Sequence, residues 1–255
     1  MVSSQREKEI LDLLAVKKTI TVQQLCQKLY ASSATIRRDL TKLESRGLIR
    51  RTRGGAVLAE GGNDEVSVFE RQSENAKEKS AIGRLASYFI KDGYTVFMDP
   101  SSTVCCTAPF LLSVKRLTVI TNGLHCALAL SAGSGCEVYM PAGRLLTRSN
   151  SLAGSDTLSS LSGFCADAAL VSCSGLSLKV GVTEPTVEQS RIKLQMLKQA
   201  KTKILLCDHT KFGRICMSKT CDIGLFDYLI TDIRPEEEVC AALEAQGCEI
   251  VYPER

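Results

Sequence analysis

Arginine suits a polyanion better than any other side chain, because its guanidinium forks onto a phosphate or onto the edge of a guanine. This chain gathers arginines near its amino end. Arg37 and Arg38 are adjacent in Ser33-Ala34-Thr35-Ile36-Arg37-Arg38-Asp39-Leu40, and Arg50, Arg51 and Arg53 follow before a Gly-Gly pair. A second kind of chemistry is spread downstream, in small polar groups that each follow an expected strand. These are Asp99, Ser101, Ser102 and Thr103; Thr121 and Asn122; Gly143; Ser174 and Gly175; and Asp208 with Lys211. Hydroxyls, backbone N–H groups and a lysine are what an anionic, hydroxyl-rich small molecule such as a sugar phosphate requires. Any one such loop is also explained as turn and capping residues. Five of them along one rim favour a binding site.

The elements that must position the arginines can be read from caps and periodicity. Ser4 with Glu7 forms a capping box ahead of Ile10, Leu13 and Leu14, which predicts a first helix. Thr21 with Gln24 repeats the pattern, and Val22, Leu25 and Leu29 predict a second helix over 22–29. After Tyr30-Ala31, Ser32 caps a third helix running to Arg46, with Gly47 as its left-handed C-terminal cap. Ile36, Leu40 and Leu43 share one face of this helix, and Ala34, Arg38, Thr41 and Ser45 share the other, with Thr35 and Arg37 on the flanks. Small residues that let a helix approach closely, and arginines beside them, meet the needs of a recognition helix in a major groove. Leu48 to Val57 reads as two short strands around Gly54-Gly55, a wing whose arginines suit the DNA backbone or minor groove.

Charge supports the division. Residues 1–58 carry twelve Lys/Arg and five Asp/Glu, a net +7, which leaves −3 for the rest of a 255-residue chain whose total is +4. A basic head on a near-neutral body points to a nucleic acid at one end only. The apolar fraction of 44% supports packed cores, and the length suits two domains. The expected organisation is a winged helix-turn-helix at 1–58, a linker at 59–73 containing Gly61-Gly62-Asn63-Asp64-Glu65, and an α/β domain at 74–255. Twelve cysteines without a signal peptide or a Cys-x-x-Cys pair, in a chain with two histidines, are read as reduced thiols and not as disulfides or a metal site. With no apolar run long enough to span a bilayer, a soluble cytoplasmic protein without cofactor or metal is expected.

In the body, Ile82, Leu85, Ala86 and Phe89 predict a helix before Asp92-Gly93. Strands are expected at Thr95–Met98, Leu117–Ile120, Glu137–Met140, Ala168–Val171, Ile204–Cys207, Tyr228–Ile230 and Glu249–Val251, with helical segments between most of them. That alternation implies a mostly parallel sheet covered on both faces, whose ligands bind beyond the carboxyl ends of the strands.

The run from Ser32 to Leu40, together with Leu43-Glu44, Gly47-Leu48 and Arg51-Thr52-Arg53-Gly54-Gly55-Ala56, resembles the head of the DeoR family of bacterial transcriptional regulators. The resemblance implies that Ser33, Thr35, Arg37 and Arg38 approach DNA, with Arg51 and Arg53 on the wing, whereas Asp39 is read as tying down an arginine or the helix bundle. It continues at lower density through the body and implies a sensor domain similar to ribose-phosphate isomerases. The family's Asp-x-Gly-Ser-Thr loop falls on Asp99 to Thr103, its Thr-Asn on Thr121-Asn122, its Asp-x-Ser-Lys-Phe-Gly on Asp208 to Gly213, and its helix lysine on Lys193. Gly175, Gly181 and Thr183 resemble its small-residue loops. The chain departs from the pattern at Pro100-Ser101, at Pro141-Ala142-Gly143 and at Thr210, and each lost glycine removes backbone freedom.

Three functions follow. The first is a regulator, with repression as the family default, that binds double-stranded operator DNA as a homo-oligomer and is modulated by a sugar phosphate or related metabolite. The second is an aldose-ketose isomerase using Asp99, Asp208 and Lys211. The third is a constitutive DNA-binding protein with a vestigial pocket.

Overall fold

The structure is a computed structural model that describes residues 3–45, 49–52, 54–58, 68–133 and 135–253. It divides into two units, Met1–Ser67 and Val68–Arg255. In the first, α1 (Ser3–Lys17) is followed by β1 (Thr19–Thr21), α2 (Val22–Leu29), α3 (Ser33–Ser45), β2 (Ile49–Thr52) and β3 (Gly55–Leu58). The capping box at Thr21 is formed in both directions, and Tyr30 ends α2 in the left-handed conformation at φ 48°. Ile10, Leu14, Leu25, Ile36, Leu40 and Leu43 are essentially fully buried and make the core of this unit. The wing is larger than the two strands expected. β1 joins it on the far side of β3, giving an antiparallel sheet in the order β1-β3-β2. Gly55 makes that third strand possible, since a Cβ there would collide with the Ile20 carbonyl. The expected helix end at Gly47, the wing residue Arg53, the segment 59–67 and the side chain of Ser4 lie outside the described residues.

The second unit begins with α4 (Val68–Ser73) and α5 (Ala76–Ser87). It continues through β4 (Thr95–Met98), α6 (Ser102–Cys105), α7 (Ala108–Leu111), β5 (Leu117–Thr121), α8 (Leu124–Ser131) and β6 (Cys136–Tyr139). β7 (Arg144–Leu146), β8 (Ser151–Ala153), α9 (Ser155–Ser162), β9 (Ala166–Ser172), β10 (Gly175–Ser177), β11 (Gly181–Glu184) and α10 (Val187–Lys198) follow. The chain ends with β12 (Ala200–Leu206), β13 (Ser218–Cys221), β14 (Tyr228–Ile230), α11 (Glu237–Glu244) and β15 (Glu249–Val251). Residues 68–73, read from sequence as linker, are helical: Val68 is buried and its N–H donates to the Arg148 carbonyl at 3.0 Å.

All seven strands expected from sequence join one parallel sheet in the order β15-β14-β12-β9-β4-β5-β6. Alternation along each strand feeds two cores. Phe97, Ala169, Val171 and Leu205 face one side, and Val96, Met98, Leu170, Ile204 and Leu206 face the other. Two small antiparallel sheets, β10-β11-β13 and β7-β8, are not expected from sequence, because their strands are three or four residues long and all but β7 carry Gly, Ser or Thr. Leu170 is fully buried on the central strand β9, so Leu170→Ala is expected to cost about 2–5 kcal/mol. Urea denaturation followed by circular dichroism measures it.

Candidate functional site

In the first unit α3 is held from behind and left open in front. Ser32 caps it, its Oγ accepting from the Thr35 N–H at 3.3 Å and lying 2.9 Å from the Thr35 hydroxyl. Thr35 is therefore half-buried and engaged in the cap, while Ser33, Ala34, Arg37, Arg38 and Thr41 are exposed. Asp39 is almost fully buried, and its Oδ2 accepts from Arg6 Nε on α1 at 2.5 Å. That carboxylate anchors α3 to α1. Lys42 adds a second link to Glu7 of α1, with Nζ 3.7 Å from Oε1. The wing is tied to the same helix: Arg51 Nη1 donates to Thr41 Oγ1 at 3.2 Å, and the Arg51 N–H donates to Glu44 Oε1 at 3.0 Å. Arg37, Arg38 and Arg51 thus share one side of the unit with Thr41, and Arg37 and Arg38 have no ion-pair partner among the described residues.

In the second unit the polar groups that follow the strands cluster beyond the carboxyl edge of the parallel sheet. Asp99 is fully buried after β4. Its Oδ1 accepts from the Ser101 N–H at 2.8 Å and its Oδ2 from the Ser172 N–H at 2.8 Å. Lys193, projecting from α10, reaches the same carboxylate at 3.1 Å, donates to the Ser172 carbonyl at 2.8 Å, and donates to Glu184 Oε1 at 2.5 Å. Glu184 Oε2 in turn accepts from the Ser174 hydroxyl at 3.0 Å. Burial pushes the Lys193 ammonium down, but the opposing pull of Asp99 and Glu184 is stronger and holds it above the usual lysine range.

Beside Asp99, on the next strand, Thr121 Oγ1 accepts from the Gly123 N–H at 3.0 Å, and Asn122 Nδ2 donates to the Leu152 carbonyl at 2.9 Å. Among the described residues Asn122 Oδ1 has no donor, although the residue is fully buried. Ser102 and Thr103 open α6, and Ser101 caps it with its Oγ accepting from the Val104 N–H at 3.3 Å. The missing glycine is no strain here, since Ser101 sits at φ −69°, ψ 149°. Pro100 packs against Gly123, where a Cβ would lie 2.8 Å from the proline Cα.

Two strands away, Asp208 is fully buried after β12, accepts from the Thr210 N–H at 3.1 Å, and has Lys211 Nζ 3.8 Å from its Oδ2. Lys79 of α5 completes this end. Its ammonium is buried, donates to the Arg71 carbonyl and to the Glu74 carbonyl at 2.7 Å, and is held below the usual lysine range by burial, with Asp208 opposing and Lys211 adding to the effect.

Not every expected residue joins these clusters. Gly143 is accounted for by packing, since at φ +147° its hydrogen side abuts Thr157 and Ala153. A Cβ at Gly175 would lie 2.5 Å from the Arg214 carbonyl oxygen and 2.8 Å from Thr183 Oγ1. A hollow of about 420 Å³ is walled by Leu176, Phe212, Ile233 and Val239 with His209 and Arg234. His209, Phe212 and Gly213 of the Asp208–Gly213 loop line it, whereas Asp99, Asn122, Lys193, Asp208 and Lys211 do not.

Lys79, Glu184 and Gln189 escaped sequence reasoning. Lys79 falls on the Ile82, Gly83, Ala86 stripe of α5, and a lysine on a buried stripe needs an internal partner. Gln189 and Lys193 likewise share the buried face of α10 with Ile192 and Met196. Glu184 carried no comparable signal. All twelve cysteines are free thiols, and burial pushes Cys221 up to about 12 and Cys248 up to about 11. No helix among the described residues is long and apolar enough to cross a membrane.

Comparison with known proteins decides the family. Residues 6–61 match the model of the DeoR-like helix-turn-helix domain, and residues 74–233 match that of the DeoR C-terminal sensor domain. The chain belongs to the DeoR family. A DeoR-family relative, the HTH-type transcriptional repressor GlcR of Bacillus subtilis, is 38% identical over 255 residues, covering 100% of this chain and 98% of that protein. The glycerol-3-phosphate regulon repressor of Escherichia coli is 29% identical over 243 residues, covering 95% of this chain and 96% of that one. Ribose 5-phosphate isomerase A from Methanocaldococcus jannaschii is similar over 55% of each chain, at 13% identity and a TM-score of 0.41, too low for the likeness to bear on function. This DeoR-family chain is a transcriptional regulator with a DNA-binding and a sensor domain, and its relatives are named as regulators and repressors, not enzymes.

Proposed function

We propose that the chain is a cytoplasmic repressor that holds operator DNA through α3 and the wing and lets go when the sensor domain binds a phosphorylated sugar. The observation that carries this reading is the pairing of exposed Arg37 and Arg38 with a buried Asp39 on one helix: the first two are presented to a duplex, and the third fixes the presenting helix to α1. Ser33, Thr41 and Arg51 flank that surface, with Thr35 serving its N-terminal cap. Arg53 belongs to the same wing by sequence. One head covers few base pairs, so a homo-oligomer on repeated half-sites supplies the affinity that a regulator needs.

For the effector, Lys211 and Lys79 around Asp208 form the end suited to a phosphate, and Asp99, Asn122 and Lys193 the end suited to hydroxyls. The name of one relative, a glycerol-3-phosphate regulon repressor, points to the same ligand chemistry. Release follows if the ligand favours one of two arrangements of the protein, since only differential affinity shifts an equilibrium.

The test is release from a promoter fragment in a panel of sugar phosphates. Lys211→Ala is expected to leave operator affinity unchanged without effector and to raise the effector concentration needed for release about 10- to 100-fold, as loss of a charged hydrogen bond does. If no sugar phosphate releases the DNA or raises the melting temperature, the chain binds DNA constitutively and the sensor reading fails.

A further inference from the structure

We propose that Gln189 and Glu184, with Asn122, form the part of the sensor site that reads uncharged hydroxyls and turns away a carboxylate, so that the effector is a sugar monophosphate with a neutral far end. The inference rests on the sugar-phosphate reading above and narrows it.

The first observation is a pair of orphaned acceptors. Gln189 Oε1 and Asn122 Oδ1 both lie in residues that are almost completely buried, and neither has a hydrogen-bond donor among the described residues. An unsatisfied buried polar atom is costly, on the order of 1–3 kcal/mol, and in a sensor domain it marks a place for a ligand donor. The orientation of Asn122 is fixed because its other amide atom faces the Leu152 carbonyl, which can only accept. Gln189 Nε2 is 3.4 Å from the Ser151 hydroxyl, which sits 2.8 Å from that of Ser149.

The second observation is that these acceptors adjoin the buried charge cluster. Asn122 follows β5 as Asp99 follows β4, and the two strands pair through Met98 and Thr121. Gln189 precedes Lys193 by one turn on the same buried face of α10. The Asn122 carbonyl accepts from the Leu152 N–H at 2.8 Å, and Ser151, the neighbour of Leu152 in the chain, is the residue that Gln189 reaches. Beside the Asp99–Lys193–Glu184 cluster, on the neighbouring strand end and one turn earlier on α10, stand two amide oxygens, so that acceptors outnumber the ammonium of Lys193 among these residues. Lys193 is already claimed by both carboxylates, so it has no charge to offer an anion. Acceptors in excess of donors suit a ligand that brings O–H groups. A ligand carboxylate would add a third negative group in a dry setting, and like-charge juxtaposition is strongly disfavoured. The lysines around Asp208 lie two strands off, about 10 Å at the usual strand spacing, which matches the span between the phosphate and the far end of a pentose or hexose.

The experiment is isothermal titration of the full-length protein with aldose and ketose 5- and 6-phosphates, with the corresponding aldonate phosphates, and with inorganic phosphate. At least one neutral-ended monophosphate is expected to bind about tenfold or more tightly than its aldonate counterpart. Glu184→Gln is expected to reduce that preference at least about fivefold, and Gln189→Leu to weaken the neutral-ended ligand about tenfold without lowering the melting temperature of the free protein. An aldonate phosphate that binds wild type as well as its neutral counterpart would overturn the inference and leave the sugar-phosphate reading standing. So would an unchanged preference in folded Glu184→Gln together with unchanged affinity in Gln189→Leu. Failure of every phosphate ester to bind would remove the reading beneath it as well.

Discussion

Arg37→Ala combined with Arg38→Ala is expected to lower operator affinity about a hundredfold or more while leaving the head folded. An arginine that pairs with a base contributes about 1–3 kcal/mol, and one that clamps a phosphate weakens binding to all sequences alike. Both side chains are exposed and unpaired among the described residues, so their loss costs the fold little, within about 0.5 kcal/mol. The two single variants separate the roles: the base reader relaxes specificity, and the phosphate clamp reduces the salt dependence by about one unit of slope. Asp39→Ala is the contrasting control. It removes the partner of Arg6 from between α1 and α3, so it weakens DNA binding by loosening the unit and lowers the melting temperature as it does so. Fluorescence anisotropy on a fragment from upstream of the protein's own gene, paired with thermal melting, distinguishes these outcomes. Wild-type affinity in the double arginine variant would refute the assignment of α3 as the reading helix.

Lys193→Met is expected to destabilise the sensor domain by about 3–5 kcal/mol, the usual cost of removing one partner from a buried ion pair. The reason lies in what stays behind: Asp99 and Glu184 are both buried, and the ammonium that bridged them at 3.1 Å and 2.5 Å is gone. Removing one of those carboxylates as well, in Lys193→Met with Glu184→Gln, is expected to restore part of the loss. The pH dependence has a definite sign. Asp99 and Glu184 raise the Lys193 ammonium above its ordinary range in spite of burial. A group so raised contributes stability that is complete below the unfolded lysine value, about 10.4, and is lost as pH climbs through the higher folded value. The penalty of Lys193→Met is therefore the same at pH 7 as at about pH 9 and shrinks only in stronger alkali. Urea denaturation at the two pH values tests this, and a loss below about 1 kcal/mol would mean that the buried cluster is not ionised as described.

The parts of the molecule legible in sequence were those in which one physical rule dominates. Capped amphipathic segments fixed α2 and α3, because Thr21-Gln24 and Ser32 terminate stripes of buried leucine and isoleucine. Apolar runs marked the inner strands of the parallel sheet, because a strand covered on both faces has no polar side, and the alternation with helical segments marked the short, half-exposed edge strands β6 and β15. β1 and the β10-β11-β13 sheet were missed, since three- and four-residue strands rich in Thr, Ser and Gly look like turns. The site divided in the same way. Asp99, Asn122 and Asp208 follow strands, so their place at the carboxyl edge of the sheet could be read by position, whereas the close packing around Gly143 and Gly175 could not. Glu184 was invisible because its meaning depends on Lys193, nine residues on, turning inward toward it. The glycine missing from the Asp99 loop matters less than expected, since Ser101 needs no positive φ.

The most direct measurement is the affinity of the full-length protein for duplex DNA across a series of salt concentrations. If arginines on α3 and the wing lie against phosphates, log K falls linearly with log salt, and each neutralised phosphate adds about 0.9 to the slope, which becomes shallower in Arg51→Ala. An affinity that ignores salt, or no affinity for any duplex including the protein's own upstream region, would contradict it.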